Sequence, residues 1–171
     1  RLAEALAAEL AAPEGEVNLL GMPLTRAVNV TIDRVAAARA EVAAQVAAYG
    51  ETDLLCYRAP HPPRLAERQE ADWDPLLDWA AERLGARLST GAGVMHVPQP
   101  AEAVERLAAQ VHGLSPWALT PMHELVALSG SLVIGLAVRA GRIEPAEGWR
   151  VSRLDEQWNI EQWGEDAEAA A

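Results

Sequence analysis

Leucines at positions 2, 6 and 10 recur every fourth residue among Ala and Glu, the step that lines one face of a helix with apolar side chains. Pro13 and Gly15 follow as its stop. A second helix is expected from Met22 to Arg34, opened by Pro23, because Leu24, Ala27, Val28, Thr31, Ile32 and Val35 keep helical spacing despite several β-branched side chains. Ala36 to Tyr49 is Ala-rich, with Val42, Val46 and Tyr49 on one stripe and Gly50 as a C-terminal stop. Thr52 to Arg58 reads either as a short helix capped by Thr52 or Asp53, or as a brief strand. Pro62 and Pro63 start a helix through Leu65 to Trp73. Asp74 with Pro75 is another start signal, since Asp can accept first-turn N–H bonds and Pro at the first helical position loses nothing by lacking its own. The stretch up to Leu84 is therefore two helices or one kinked at Pro75. Trp73, Leu76, Leu77, Ala80 and Leu84 form its buried face.

After Gly85 the pattern weakens. Ala86 to Val97 alternates only loosely and contains Ser, Thr and Gly, which predicts a small extended hairpin or a loop, closed by Pro98 and Pro100. Glu102 to His112 is a helix with Val104, Leu107, Ala108 and Val111 inward and Gly113 at its end. Ser115 with Pro116 restarts helix, and Thr120 with Pro121 offers a second start. The run through Leu125, Leu128, Leu132, Leu136 and Arg139 is apolar on nearly every side, which predicts a central helix surrounded by neighbours. Ser129, Gly130, Ser131 and Gly135 give it a small-residue surface for close approach. Gly141 ends it, and Pro145 opens a last helix through Trp149, Val151, Leu154 and Trp158 to Trp163 and Gly164. The acidic, Ala-rich tail beyond is expected to fray. With no long internal repeat and short connections, the pattern predicts an all-α, bundle-like domain, with room for one small β-hairpin near 86–97.

Composition narrows what such a bundle can do. A chain of 171 residues suits one domain that buries roughly two thirds of its unfolded surface and folds without staples. The single Cys56 leaves no internal disulfide and no thiolate zinc site, and favours a reducing compartment. All 14 basic residues are Arg, against a net charge of −11, and from Glu144 to Ala171 eight acidic residues face two Arg. Nucleic acid and anionic membrane are poor partners for that charge, whereas a basic or mixed protein surface is a good one. The plainer account is that the acid keeps the protein in solution. Leu125 to Val138 is interrupted and shorter than the roughly 20 residues of a spanning helix, so no membrane insertion is expected. No secretory or transit segment is visible, but the chain opens inside an uncapped helix, so an upstream portion is expected.

Candidate chemistry is sparse. His61, His96, His112 and His123 lack metal-ligand spacing, and no nucleophile elbow, phosphate loop or dinucleotide fingerprint is present. No metal, cofactor or catalytic residue is expected. Asp72 and Asp74 flank Trp73, and Asp155, Glu156 and Glu161 lie on the last helix; they are candidates for acid–base work on paper, with capping and solvated faces as the alternative. Trp158, Glu161, Gln162 and Trp163 crowd together near the chain end, as indoles do at binding hot spots and also in cores.

Four ordered motifs carry a resemblance: Met22-Pro-Leu-Thr25, Thr52-Asp-Leu-Leu-Cys-Tyr-Arg58, Trp73-Asp-Pro-Leu-Leu-Asp-Trp79 and Ser152-Arg-Leu-Asp-Glu-Gln-Trp158-Asn-Ile-Glu-Gln-Trp-Gly164. Over essentially its whole length the chain resembles the ATP synthase assembly chaperone (Atp-twelve) family. The resemblance implies a non-enzymatic chaperone that binds the free α subunit of the catalytic ATPase head and prevents its aggregation until the β subunit replaces it. It also implies a small β-rich domain before the helical one, with residues 1–12 a remnant helix leading to it and 13–171 the helical chaperone domain. The location implied is the bacterial cytoplasm, or the mitochondrial matrix for a eukaryotic member. The family's acidic C-terminal motif maps onto Asp155, Glu156 and Glu161, with Trp158 and Gln162 beside them. Together with Arg58, Trp73, Trp79 and Trp163 they are expected to form one partner-binding surface. Two other readings stay open: a helical enzyme or small-ligand domain with a Trp-lined carboxylate pocket, and a scaffold whose Trp residues are all core.

Overall fold

The computed structural model describes residues 1–11 and 19–164. Among them, nine α-helices follow in order: α1 (Leu2–Ala11), α2 (Pro23–Val30), α3 (Arg39–Ala48), α4 (Pro63–Leu84), α5 (Ala101–His112), α6 (Pro116–Ser129), α7 (Leu132–Arg139), α8 (Pro145–Ser152) and α9 (Leu154–Trp163). Two-residue strands β1 (Tyr57–Arg58) and β2 (Gly91–Ala92) complete the list. The all-α class is as expected. Of the two expectations for 86–97 the loop holds and the hairpin does not: only Gly91–Ala92 is strand, and it pairs in parallel with β1, Tyr57 opposite Gly91 and Arg58 opposite Ala92, so the segment finds its partner upstream instead of folding back on itself. The stop at Pro13 and Gly15 and the tail past Gly164 lie outside the described residues.

The central apolar helix is two helices. Gly130 takes a left-handed conformation (φ 69°) that ends α6, and Ser131 caps α7 by accepting the Ile134 N–H at 3.0 Å. What holds the break is Asp53, fully buried. Its carboxylate accepts the Ser131 hydroxyl at 2.7 Å and the Val133 N–H at 3.0 Å, while also capping the 3-10 turn Leu54–Cys56 through the Leu55 N–H. Both readings of Thr52–Arg58 are therefore realised in succession, the Asp53-capped turn first and β1 after it. Every residue from Leu132 to Ala137 is buried, and α7 touches α4, α5, α6 and α8. The core gathers around it, with Trp73, Leu55, Leu107, Leu119, Met122, Ile134 and Leu154 among its largest buried side chains.

The helix-start signals at Asp74-Pro75 and Thr120-Pro121 do not start helices. α4 runs unbroken for 22 residues through Pro75, and α6 runs through Pro121. Each proline lies on an exposed face, as do Ala71 and Trp117 four residues earlier, so the carbonyl that loses its N–H partner can turn to water. Thr120 instead pairs its hydroxyl with that of Thr31 at 2.7 Å, where α2 passes into a π-turn over Thr31–Val35. Gly50 is no left-handed stop either; it sits buried against Leu107 and Leu132 in the 3-10 turn Tyr49–Glu51.

The last helix likewise divides, at Arg153 (φ −104°, ψ 20°). A continuous helix would give the Val151 carbonyl to the N–H of Asp155, but the Trp73 indole N–H takes that carbonyl at 2.8 Å. The Ser152 hydroxyl takes the Trp149 carbonyl, and the Arg153 guanidinium stacks on the Trp149 ring, 5.0 Å from its centroid. No helix among the described residues is long and apolar enough to cross a membrane.

Candidate partner-binding face

α4 presents a stripe of Leu65, Gln69, Trp73, Leu76 and Ala80 to the interior, each three or four residues from the last. Trp73 is the pivot of the stripe, 1 % exposed and bonded to Val151 of α8. Over its ring, 5.3 Å from the centroid, lies the Arg58 guanidinium delivered by β1. Arg58 donates through Nε to the Leu55 carbonyl at 3.1 Å and through Nη2 to Asp74 Oδ1 at 2.6 Å. Its side chain is 10 % exposed and that of Asp74 53 %, so the pair joins the core to the surface. Nη1 is buried without an acceptor among the described residues.

One turn earlier on α4, Gln69 is fully buried and serves two elements at once. Its Oε1 accepts the Ala59 N–H at 2.7 Å, and its Nε2 donates to Asp155 Oδ1 of α9 at 2.6 Å. Beside it, Arg68 Nη1 donates to Glu161 Oε2 at 2.7 Å, while Gln157 supports the other Glu161 oxygen. On the far side, Arg150 of α8 reaches Asp72 at 2.9 Å and also binds Glu147. The bond from Arg68, then that from Gln157, holds the Glu161 carboxyl below the usual carboxylate range; Arg150 does the same for Glu147. Four cross-links thus lace α4 to α8 and α9, and these glutamates stay ionised near neutral pH.

The structure gives the expected residues unlike positions. Trp73 is core, as the spacing of the α4 stripe predicts, and so it does not itself stand on the surface where the resemblance put it. Trp79 and Trp158 are half-buried against the same core. Trp163 alone of the four is open, 86 % exposed, with Ile160 one turn before it. Glu156 is exposed and pairs with Arg153, Gln162 is exposed, and Asp155 is exposed but tied to Gln69. Asp72, Asp74 and Glu161 each go to a different arginine and do not converge in a pocket, which is the shape of a broad face and not of a ligand cavity. No three His, Cys, Asp or Glu side chains are grouped for a metal ion among the described residues.

Arg68, Gln69 and Arg150 were not anticipated. Gln69 had a signal: a polar residue at an apolar position of the α4 stripe must be satisfied from another element. Arg68 and Arg150 had none, because their partners lie on helices far along the chain.

Comparison with known proteins agrees with the fold. A family model described as ATP12 chaperone protein matches residues 1–81. The mitochondrial protein atp12 of Schizosaccharomyces pombe is 25% identical over 166 residues, covering 91% of this chain and 57% of that protein. The chain thus spans less than two thirds of that curated relative. The crystal structure of Atp12 from Paracoccus denitrificans superposes with a TM-score of 0.96 at 46% identity, covering 99% of this chain and 72% of that one. A solved protein of Agrobacterium tumefaciens gives 0.94 at 42% identity, over 99% of this chain and 63% of that one. With nearly half its residues shared with the Paracoccus protein along its full length, on the same arrangement of helices, the chain belongs to the ATP12 chaperone family.

Proposed function

We propose that the chain acts in assembly of the F-type ATP synthase catalytic head, holding the free α subunit and keeping it from aggregating until the β subunit takes its place. An unassembled α subunit presents the surface it will later bury against β, and an obligate interface of that kind is large and apolar enough to aggregate if left bare. A temporary cover has to release, so it should rely on charge and a few anchors more than on greasy area.

The observation that carries this reading is the α4–α9 face. Glu156, Glu161 and Asp74 are exposed on it, each beside an arginine, on a cross-linked base, and Trp163 stands almost fully in water at its end. We assign the partner contacts to Arg58, Asp155, Glu156, Glu161, Gln162 and Trp163, with Trp73, Trp79 and Trp158 as the floor that positions them. We further take α1 as the link to a separate N-terminal domain, and the bacterial cytoplasm or the mitochondrial matrix as the place of action.

Co-purification with separately produced α and β subunits tests the reading: α is retained and β is not. Equal retention of β, or loss of both, contradicts it. Replacing Glu156 and Glu161 by Lys should slow capture of α by about tenfold or more at low salt with helix content unchanged. Because Glu161 also holds Arg68, the E161Q variant separates lost charge from lost anchoring. Undiminished capture by the double charge-reversal variant removes the acidic face from the contact.

A further inference from the structure

Val94 and Met95 are two consecutive apolar side chains, 96% and 79% exposed, at the tip of the loop between β2 and α5. A tip that only connected two elements would be served by polar residues. This one is held from below. The Gly93 N–H donates to the Arg58 carbonyl at 2.8 Å, and Gln99 grips both the N–H and the C=O of Ser89, at 2.8 and 3.0 Å, as well as the Val97 carbonyl. Gly91 lies so close to Val97 that a Cβ there would stand 2.7 Å from its Cγ2, and Gly93 turns the chain with φ 86°. The loop is built to keep its apolar pair outward, and a tip already ordered loses little freedom when a partner covers it.

Two features say what that partner is. The first is continuity: the Arg58 that anchors Gly93 through its carbonyl is the same residue that spans Trp73 and Asp74, so the loop root and the α4–α9 face are joined through one residue. The second is charge. Directly after Met95, His96 lines an open recess of about 410 Å³ with Glu51 and Glu105, and neither carboxylate meets a cation within 4 Å among the described residues. An apolar tip beside unpaired carboxylates suits a polypeptide with an apolar crevice bordered by Lys or Arg. A second copy of this chain, at net charge −11, and an anionic bilayer are both repelled.

We propose that the Val94–Met95 tip is a second anchor for the client, inserted into a basic-rimmed apolar crevice of the α subunit. The proposal rests on the chaperone function above. Its test compares the full chain with a V94S/M95S variant for binding to isolated α subunit, with melting temperature and circular dichroism as folding controls. The variant should bind about tenfold or more weakly while melting as the parent does, since the replaced side chains touch almost nothing in the free protein. An E51Q/E105Q variant should associate more slowly and with a flatter salt dependence. If V94S/M95S binds α as the parent does, the tip is not an anchor and the chaperone reading stands. If the parent itself fails to hold α, both fall. Tip-dependent dimerisation in sedimentation, or tip-dependent uptake by lipid vesicles, would assign the loop to another occupant and overturn the proposal.

Discussion

Asp53 shows how much one side chain can organise. A carboxylate of an otherwise loop-like segment, fully buried, satisfies donors from its own turn and from the start of α7, 78 to 80 residues away. Burial pushes its carboxyl above the ordinary value, opposed by the bonds from Val133, Ser131 and Leu55. Asp53→Ala strands those donors, so we expect a loss of about 3 kcal/mol or more. In a chain of this size that lowers the melting midpoint by roughly 6–12 °C, readable by calorimetry. Cys56, three residues on, is fully buried, and burial together with the nearby Asp53 charge pushes its thiol up to about 12. It should resist iodoacetamide in the native protein and react once the chain is unfolded in urea; fast native labelling would contradict the burial. Asp53 stood in the sequence as one of two possible caps for a short turn. Nothing in its neighbours could reveal the second helix that it also caps.

Among the elements, α4 repays attention because its inner stripe was plain in the spacing and its outer bonds were not. Leu65, Trp73, Leu76, Leu77 and Ala80 recur at helical intervals, and periodicity reports burial whatever the helix packs against. Whether Pro75 broke the helix depended on which way the carbonyl before it faced, a matter of tertiary exposure. The cross-links to α8 and α9 give the element its pH response. Glu161 and Glu147 have folded pKa values held below their unfolded ones by Arg68 and Arg150. Their stabilisation is therefore present above the ordinary glutamate value of about 4.3 and is lost as pH falls through the lower folded values. Below about pH 4, α9 should loosen from α4 before the core melts. Faster amide exchange in Leu154–Trp163 with unchanged protection of Leu132–Ala137 is the expected result; equal loss in both would mean the lacing is not what holds α9. Trp163, exposed at its end, should emit as a solvated indole throughout, whereas Trp73 changes only on unfolding.

At the scale of the whole molecule, charge and shape act together. A chain of net charge −11 should capture a basic client surface at a rate that falls steeply with ionic strength. Stopped-flow association with the α subunit between 50 and 500 mM salt is the measurement, and a rate indifferent to salt counts against electrostatic steering. The linear order of residues by itself determined the helical class, the apolar stripes of the core helices and several of their borders, such as the starts at Pro23, Pro63, Pro116 and Pro145, because periodicity and capping are local properties. The ordered motifs also pointed to the family. Only the tertiary structure decided where Asp53 and Trp73 cut long runs into separate helices, that Trp163 is open, and that Asp72, Asp74 and Glu161 each find an arginine of their own. Those outcomes depend on which distant groups compete for the same carbonyl, hydroxyl or charge, and that competition exists only once the chain has closed on itself.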